Sequence, residues 1–129
     1  TLAARRNIHF DISGRSFTIK GDKKLLERAY EYLIDNAVKY SRQDGAVEIK
    51  VDTLNIEITD HGVGIESDKL DKIFDEFATR DFLHPEGQGL SLPIVRHILE
   101  RHGATITVES EKGKGASFHI RFPSENQLL

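Results

Sequence analysis

Asp60 begins a segment that could recognise a flat ligand carrying an amino group. The segment is Asp60-His61-Gly62-Val63-Gly64-Ile65, and it follows an alternating apolar run. A carboxylate at a strand end can accept a hydrogen bond from an amino group such as that of adenine. Two glycines let the backbone adopt positive φ and approach a ring closely. A plain turn has the same spacing, so the segment alone leaves both interpretations open.

A second glycine-rich segment, Gly87-Gln88-Gly89-Leu90-Ser91-Leu92, opens a predicted helix. The free N–H groups and the dipole of a helix N-terminus favour phosphate, so the segment could bind an anion. It lacks the Gly-Lys-Ser/Thr of a Walker loop, and it follows a loop, which argues against a dinucleotide-binding βαβ unit. The alternative is a flexible hinge with a helix cap.

Asn36 and Lys39 are three residues apart in a predicted helix and therefore share one face. An amide oxygen suits Mg²⁺, which takes hard oxygen ligands, and a lysine can contact a phosphate. The alternative is an ordinary solvated helix face.

The first elements that must position these side chains are predicted from apolar spacing. The apolar residues of 8–12 and 17–19 alternate on either side of Ser13-Gly14, which predicts a β-hairpin. From residue 23 to about 41 they recur at three- and four-residue spacing, which predicts an amphipathic helix with Asp22 as its N-cap.

The remaining elements complete a ββ-α-ββ-α-α-ββ order. Residues 78–88 show no period and are predicted to form a loop. The other elements are a hairpin of strands 47–51 and 54–58, a short helix at 68–74, a long helix from about 89 that ends at His102-Gly103, and strands beginning at 106 and 118. This order predicts an α/β (α+β) two-layer sandwich, with a mixed sheet covered on one face by about three helices.

Length and charge narrow the class of protein. A chain of 129 residues fits one domain, so we treat 1–129 as a single unit. The net charge of −3, with acidic and basic residues intermixed, argues against nucleic acid as a partner. The chain has no cysteine and no apolar run near the ~20 residues that span a bilayer, so we expect a cytoplasmic domain without direct membrane contact.

Taken together and in order, the motifs resemble the catalytic, ATP-binding domain of sensor histidine kinases, which has the Bergerat fold of the GHKL superfamily. The resemblance covers nearly the whole chain. Its motifs are the N-box at 26–41, a first glycine box at 60–65, an F-box at 73–77, a second glycine box at 87–95 and a terminal glycine box at 113–123.

The resemblance assigns a role to each matching residue around an adenine base. Asp60 would bind the adenine amino group, Gly62 and Gly64 would shape the pocket with Ile65 beside them, and Tyr40 would lie next to the base. Ser117 stands where the family often has a threonine near the adenine.

The resemblance also assigns the phosphate side of the site. Asn36 would hold Mg²⁺ and Lys39 would lie near the phosphates. Residues 78–89 would form an ATP lid, with Gly87 and Gly89 as hinge and phosphate-facing amides and Leu90 beside them. Arg80, just past the F-box, could reach the terminal phosphate.

The function implied is transfer of the ATP γ-phosphate to a histidine on a separate helical hairpin, with ATP and Mg²⁺ as cofactors and a response regulator downstream. No such hairpin precedes residue 7, so we do not expect this chain to phosphorylate itself. Two departures from the family pattern, Tyr32 in the N-box and Ser91 in the second glycine box, support an alternative. The alternative is a degenerate, non-catalytic module that binds a nucleotide or only a partner protein.

Overall fold

The structure, a computed structural model, describes residues 4–5, 7–74 and 91–124. Within these ranges it has five strands and three helices. The strands are β1 (His9–Gly14), β2 (Ala46–Asp52), β3 (Asn55–Asp60), β4 (Thr105–Glu111) and β5 (Gly115–Arg121). The helices are α1 (Lys23–Tyr40), the single turn α2 (Ser67–Leu70) and α3 (Ser91–Arg101).

The strands form one mixed sheet in the order β1-β2-β3-β5-β4. β1 runs parallel to β2, whereas the other neighbouring strands are antiparallel. The antiparallel pair β2–β3 is the hairpin predicted at 47–58, and β4–β5 joins the two strands predicted to begin at 106 and 118. The prediction of a two-layer α/β sandwich with a mixed sheet is confirmed.

The register gathers the apolar side chains on one face of the sheet. Ile58 pairs with Ile49 on one side and with Phe118 on the other, and Phe118 pairs in turn with Val108. Successive side chains of a strand point to opposite faces, so these four residues share a face. α1 contacts β3, while α2 and α3 contact β4. The core therefore lies between the helices and this face.

The predicted hairpin of residues 8–12 and 17–19 is wrong. β1 pairs in parallel with β2 instead, because α1 provides the long crossover that a parallel pair requires. Gly14 does adopt a positive φ of 109°, but the Arg15 N–H that follows donates to the Val51 carbonyl at 2.9 Å. Phe17 then packs on the core with its ring centroid 6.0 Å from that of Phe122. The alternation of apolar residues in 17–19 therefore reflects side chains that pack on the core from a segment that is not a strand.

The ends of the long helices follow the sequence. The Asp22 side chain accepts a hydrogen bond from the Leu25 N–H at 3.1 Å and caps α1, as predicted. α3 ends before Gly103, whose φ is 73°, and the Ala104 N–H donates to the Leu99 carbonyl at 2.9 Å. This is the Schellman arrangement of a glycine-terminated helix. Among the described residues, no helix combines the length and apolar character needed to cross a bilayer.

Candidate functional site

Asn36 and Asp60 line one small cavity beside the end of the sheet. Asn36 lies on α1, and Asp60 is the last residue of β3. The enclosed volume is about 20 Å³, enough for roughly one water molecule. Its lining residues come from α1, the end of β3, the loop that follows and β5: Asn36, Tyr40, Asp60, Gly64, Ile65, Ala116 and Phe118.

The Asp60 carboxylate is buried, with only 3% of the residue exposed. Its Oδ1 accepts a hydrogen bond from the Gly62 N–H at 2.9 Å. Burial raises the pKa of Asp60, and this effect outweighs the backbone N–H groups of Gly62 and Ala116 and the nearby charge of His61, which lower it. A buried carboxylate of this kind is stabilised by a ligand that donates a hydrogen bond.

Asn36 carries a buried oxygen that lacks a partner. The residue is 6% exposed, and its Oδ1 accepts no hydrogen bond within the described ranges. An unsatisfied buried acceptor costs about 1–3 kcal/mol, so such an atom calls for an explanation. A hard amide oxygen facing a cavity fits a magnesium ligand, since Mg²⁺ takes few protein oxygens and keeps phosphate and water as the rest.

Tyr40 and Ile65 form further walls of the cavity. Burial raises the pKa of Tyr40 to about 12, so the side chain stays neutral at physiological pH. Ile65 is buried, and its N–H donates to the Ser110 hydroxyl at 2.8 Å. The cavity lining thus combines a neutral aromatic side chain, an aliphatic side chain and one carboxylate, and these groups could contact a flat base with an amino group.

The two glycines of the first glycine box act in different ways. A Cβ on Gly62 would overlap the Tyr40 carbonyl, so glycine lets the loop contact the end of α1. Gly64 has a φ of 71° and packs on the backbone of Glu111. Only Gly64 lines the cavity, whereas Gly62 supports the loop from behind and donates to Asp60.

Ser117 is not among the residues that line this cavity, and its role beside the adenine stays a prediction. Ser117 pairs with Thr59, and their hydroxyl oxygens are 2.8 Å apart on the polar face of the sheet. Ala116 pairs with Asp60 and lines the cavity instead. Sequence reasoning missed Ala116, although alternation from the core residue Phe118 would have pointed Ala116 inward and Ser117 outward.

The remaining predicted residues lie beside the cavity or outside the described ranges. Lys39 is half-buried in the last turn of α1 and is not among the lining residues. Arg80, Gly87, Gly89 and Leu90, with the rest of the predicted lid and second glycine box before residue 91, lie outside the described residues. Within the described part of the chain, no group of three or more histidine, aspartate or glutamate side chains could hold a metal ion.

Comparisons with known proteins match most of this chain. Residues 21–126 match the family model described as histidine kinase-, DNA gyrase B-, and HSP90-like ATPase. The heme sensor protein HssS of Staphylococcus saprophyticus is 37% identical over 111 residues, which are 83% of this chain and 24% of that protein. The chain thus spans about a quarter of this curated relative.

Two solved structures share the fold. The mycobacterial sensor histidine kinase MprB superposes with a TM-score of 0.79 and 30% identity, covering 95% of this chain and 86% of that chain. Full-length ShkA in complex with AMPPNP gives a TM-score of 0.80 and 26% identity, covering 95% of this chain and 27% of that one.

Proposed function

Because the chain belongs to the family of histidine kinase-, DNA gyrase B- and HSP90-like ATPases, we propose that it binds Mg·ATP and transfers the γ-phosphate to a histidine on a separate domain. The observation that carries this proposal is the cavity shared by Asn36 and Asp60. One residue offers an unpaired amide oxygen and the other a buried carboxylate.

The adenine end of the nucleotide would contact Asp60. Its carboxylate accepts a hydrogen bond from the amino group, while Tyr40 and Ile65 flank the ring. The cavity has room for about one water, so the base must enlarge it or lie partly outside it.

The phosphate end would lie along α1. Asn36 would hold Mg²⁺, which neutralises phosphate charge when bound, and Lys39 would lie near the phosphates. We assign the lid side to Arg80, Gly87, Gly89 and Leu90 on the strength of the resemblance. The protein's contribution is to hold the γ-phosphate in line with an incoming imidazole and to neutralise charge. The phosphorus–oxygen bond to ADP breaks as the phosphorus–nitrogen bond forms.

The partners follow from this reaction. The phosphate acceptor is a histidine on a helical hairpin of the same kinase, and a response regulator takes the phosphate afterwards. The ShkA complex with AMPPNP supports nucleotide binding by domains of this fold. We place the domain in the cytoplasm, the compartment that supplies ATP.

Calorimetry followed by a transfer assay tests the proposal. We expect AMPPNP to bind this chain more tightly with Mg²⁺ than in EDTA. Radiolabelled ATP should then label the histidine hairpin of the full-length kinase, added in trans, and not the chain itself. Asp60→Asn should lower both signals, whereas Ser117→Ala, on the opposite face of the sheet, should preserve both. Absence of AMPPNP binding by the unmodified chain would overturn the proposal.

A second candidate is a nucleotide- or partner-binding module without catalysis. Tyr32 favours it, because the histidine kinase pattern usually has a second asparagine at that helix position. Tyr32 is half-buried and packs against the core. Binding of AMPPNP without labelling of the added hairpin would support this candidate over the kinase.

A further inference from the structure

β1 is an edge strand whose outer side is open. All six of its residues are exposed, and β2 is its only neighbour in the sheet of described residues. The His9 N–H donates to the Gly45 carbonyl and the Arg15 N–H to the Val51 carbonyl, both at 2.9 Å. In a parallel pair, alternate residues bond the neighbour, so the backbone groups of Phe10 and Ile12 point away from β2.

The side chains of these two residues are also open. Phe10 is 43% and Ile12 is 69% exposed, although they pair with Val47 and Ile49 on the apolar face of the sheet. Within the described residues, α1 packs on β3, which is two strands along the sheet from β1. An edge with free backbone groups and exposed apolar side chains is a template for another strand.

We propose that this edge pairs with β1 of a second copy of this chain, antiparallel, with Phe10 opposite Phe10. In that register Ile8 lies opposite Ile12 and His9 lies opposite Asp11, each pair occurring twice about a two-fold axis. The segment Ile8-His9-Phe10-Asp11-Ile12 is self-complementary in this arrangement. Apolar residues meet on the helix side, and opposite charges meet on the polar side when His9 is protonated.

The charges select this register. Asp11 pairs with Glu48 across β1 and β2, so two carboxylates are neighbours, and Asp11 makes no ion pair within the described residues. A histidine from the second copy would face Asp11 directly. A shift by one pair in one direction would place Asp11 against Asp11 and bring four carboxylates together, which is unfavourable. The opposite shift would place His9 against His9 and leave Asp11 without a histidine partner.

This strand pairing determines the geometry and the strength of the dimer. The two sheets would become one ten-stranded sheet, with the helices of both copies on the same side. Pairing over about five residues buries less surface than a standard stable interface, so the dimer should be weak and concentration-dependent.

Sedimentation velocity of the chain from about 10 μM to about 1 mM tests the dimer. We expect a concentration-dependent dimer that Phe10→Lys weakens by at least about tenfold. Ile94→Lys, at a residue on α3 that is 40% exposed, is the matched control and should leave the dimer unchanged. Asp11→Lys should also weaken it, and His9→Asp with Asp11→Lys should restore it. A monomer at every concentration, or a dimer that Phe10→Lys leaves unchanged, would overturn the proposal.

Cysteine cross-linking tests the register. The chain has no cysteine of its own, so no other disulfide can form. Residues facing each other in a hydrogen-bonded antiparallel pair have Cα atoms about 5.5 Å apart, within reach of a disulfide. Phe10→Cys should therefore form a disulfide dimer on mild oxidation, faster than Ile94→Cys. Faster cross-linking of Asp11→Cys would refute this register, and equal slow rates for all three would refute the pairing.

Discussion

The backbone N–H of Asp22 donates to Nε2 of His102 at 2.9 Å, which joins the start of α1 to the end of α3. The other ring nitrogen, Nδ1, lies 2.8 Å from the Ile98 carbonyl. A carbonyl can only accept, so Nδ1 carries the proton and Nε2 is the acceptor. The imidazole is therefore neutral in this arrangement and links the helix that bears Asn36 to the helix that begins within the second glycine box.

We expect His102→Ala to lower the free energy of unfolding by about 1–2 kcal/mol, because it removes both hydrogen bonds of the ring. His102→Gln should recover part of the loss, since its amide oxygen can replace Nε2 as acceptor. Urea denaturation at pH 7.5 measures both. His97→Ala, at an exposed position of the same helix, is the control. Equal losses in His102→Ala and His97→Ala would show that the link contributes nothing.

Sequence reasoning predicted the elements whose contacts are local. The strands of 47–58 and 106–122 form hairpins with their neighbours in the chain, so alternation alone indicates the pairing. The parallel pairing of β1 with β2 depends on a crossover through α1, and alternation contains no information about it. For the same reason Phe17 and Ile19 suggested a strand, whereas their apolar side chains pack on the core from an irregular segment.

The sequence indicated candidate residues for the site but not how those residues are arranged in space. The resemblance identified Asn36 and Asp60, but only the packing of α1 on β3 shows that they line one cavity. Ser117 matches a motif position of the family, but the match does not tell to which face of the sheet its side chain points. One step along a strand moves a side chain to the other face of the sheet.

The contrast between Ala116 and Ser117 gives a direct test of the site. Ala116→Leu adds three carbons to the cavity wall beside Asp60, so we expect AMPPNP affinity to fall by about tenfold or more through steric exclusion. Ser117→Ala removes a hydroxyl from the far face and should change the affinity by less than about twofold. Calorimetry with the two variants checks both expectations. A larger effect of Ser117→Ala would support the predicted role of Ser117 beside the adenine.

Asn36→Ala should separate stability from metal-dependent binding. The substitution removes an unpaired buried acceptor along with some packing, so we expect the free energy of unfolding to change by less than about 1 kcal/mol. Leu33→Ala, at a fully buried neighbour, should cost about 2–5 kcal/mol. The gain in AMPPNP affinity that Mg²⁺ provides should disappear in Asn36→Ala, while affinity in EDTA stays the same. An equal loss in both buffers would indicate a distorted helix.

Asp60→Asn should weaken nucleotide binding and remove a pH dependence. Loss of a hydrogen bond to a charged acceptor costs about 1.5–3 kcal/mol, which is about tenfold or more in affinity. In the unmodified chain, affinity should decline as pH falls toward the raised pKa of Asp60, because the protonated carboxyl no longer serves as a charged acceptor. That decline should begin above the range of an ordinary aspartate, which has a pKa of about 3.9. Asp60→Asn should lack it.

The same raised pKa of Asp60 fixes the sign of a stability effect. Below the unfolded-state pKa of about 3.9 both states hold the proton, and the group contributes no pH dependence. As pH rises from there to the folded-state pKa, the unfolded chain releases its proton first, so the free energy of unfolding falls. Above the folded-state pKa, the free energy of unfolding has lost the whole contribution of this group and no longer changes with pH because of it. The unmodified chain should therefore lose stability relative to Asp60→Asn as pH rises. Urea denaturation of both chains from about pH 3.5 to about pH 8 measures this difference in unfolding free energy. A difference that moves the other way would mean that the folded state stabilises the ionised carboxylate, against the burial observed for Asp60.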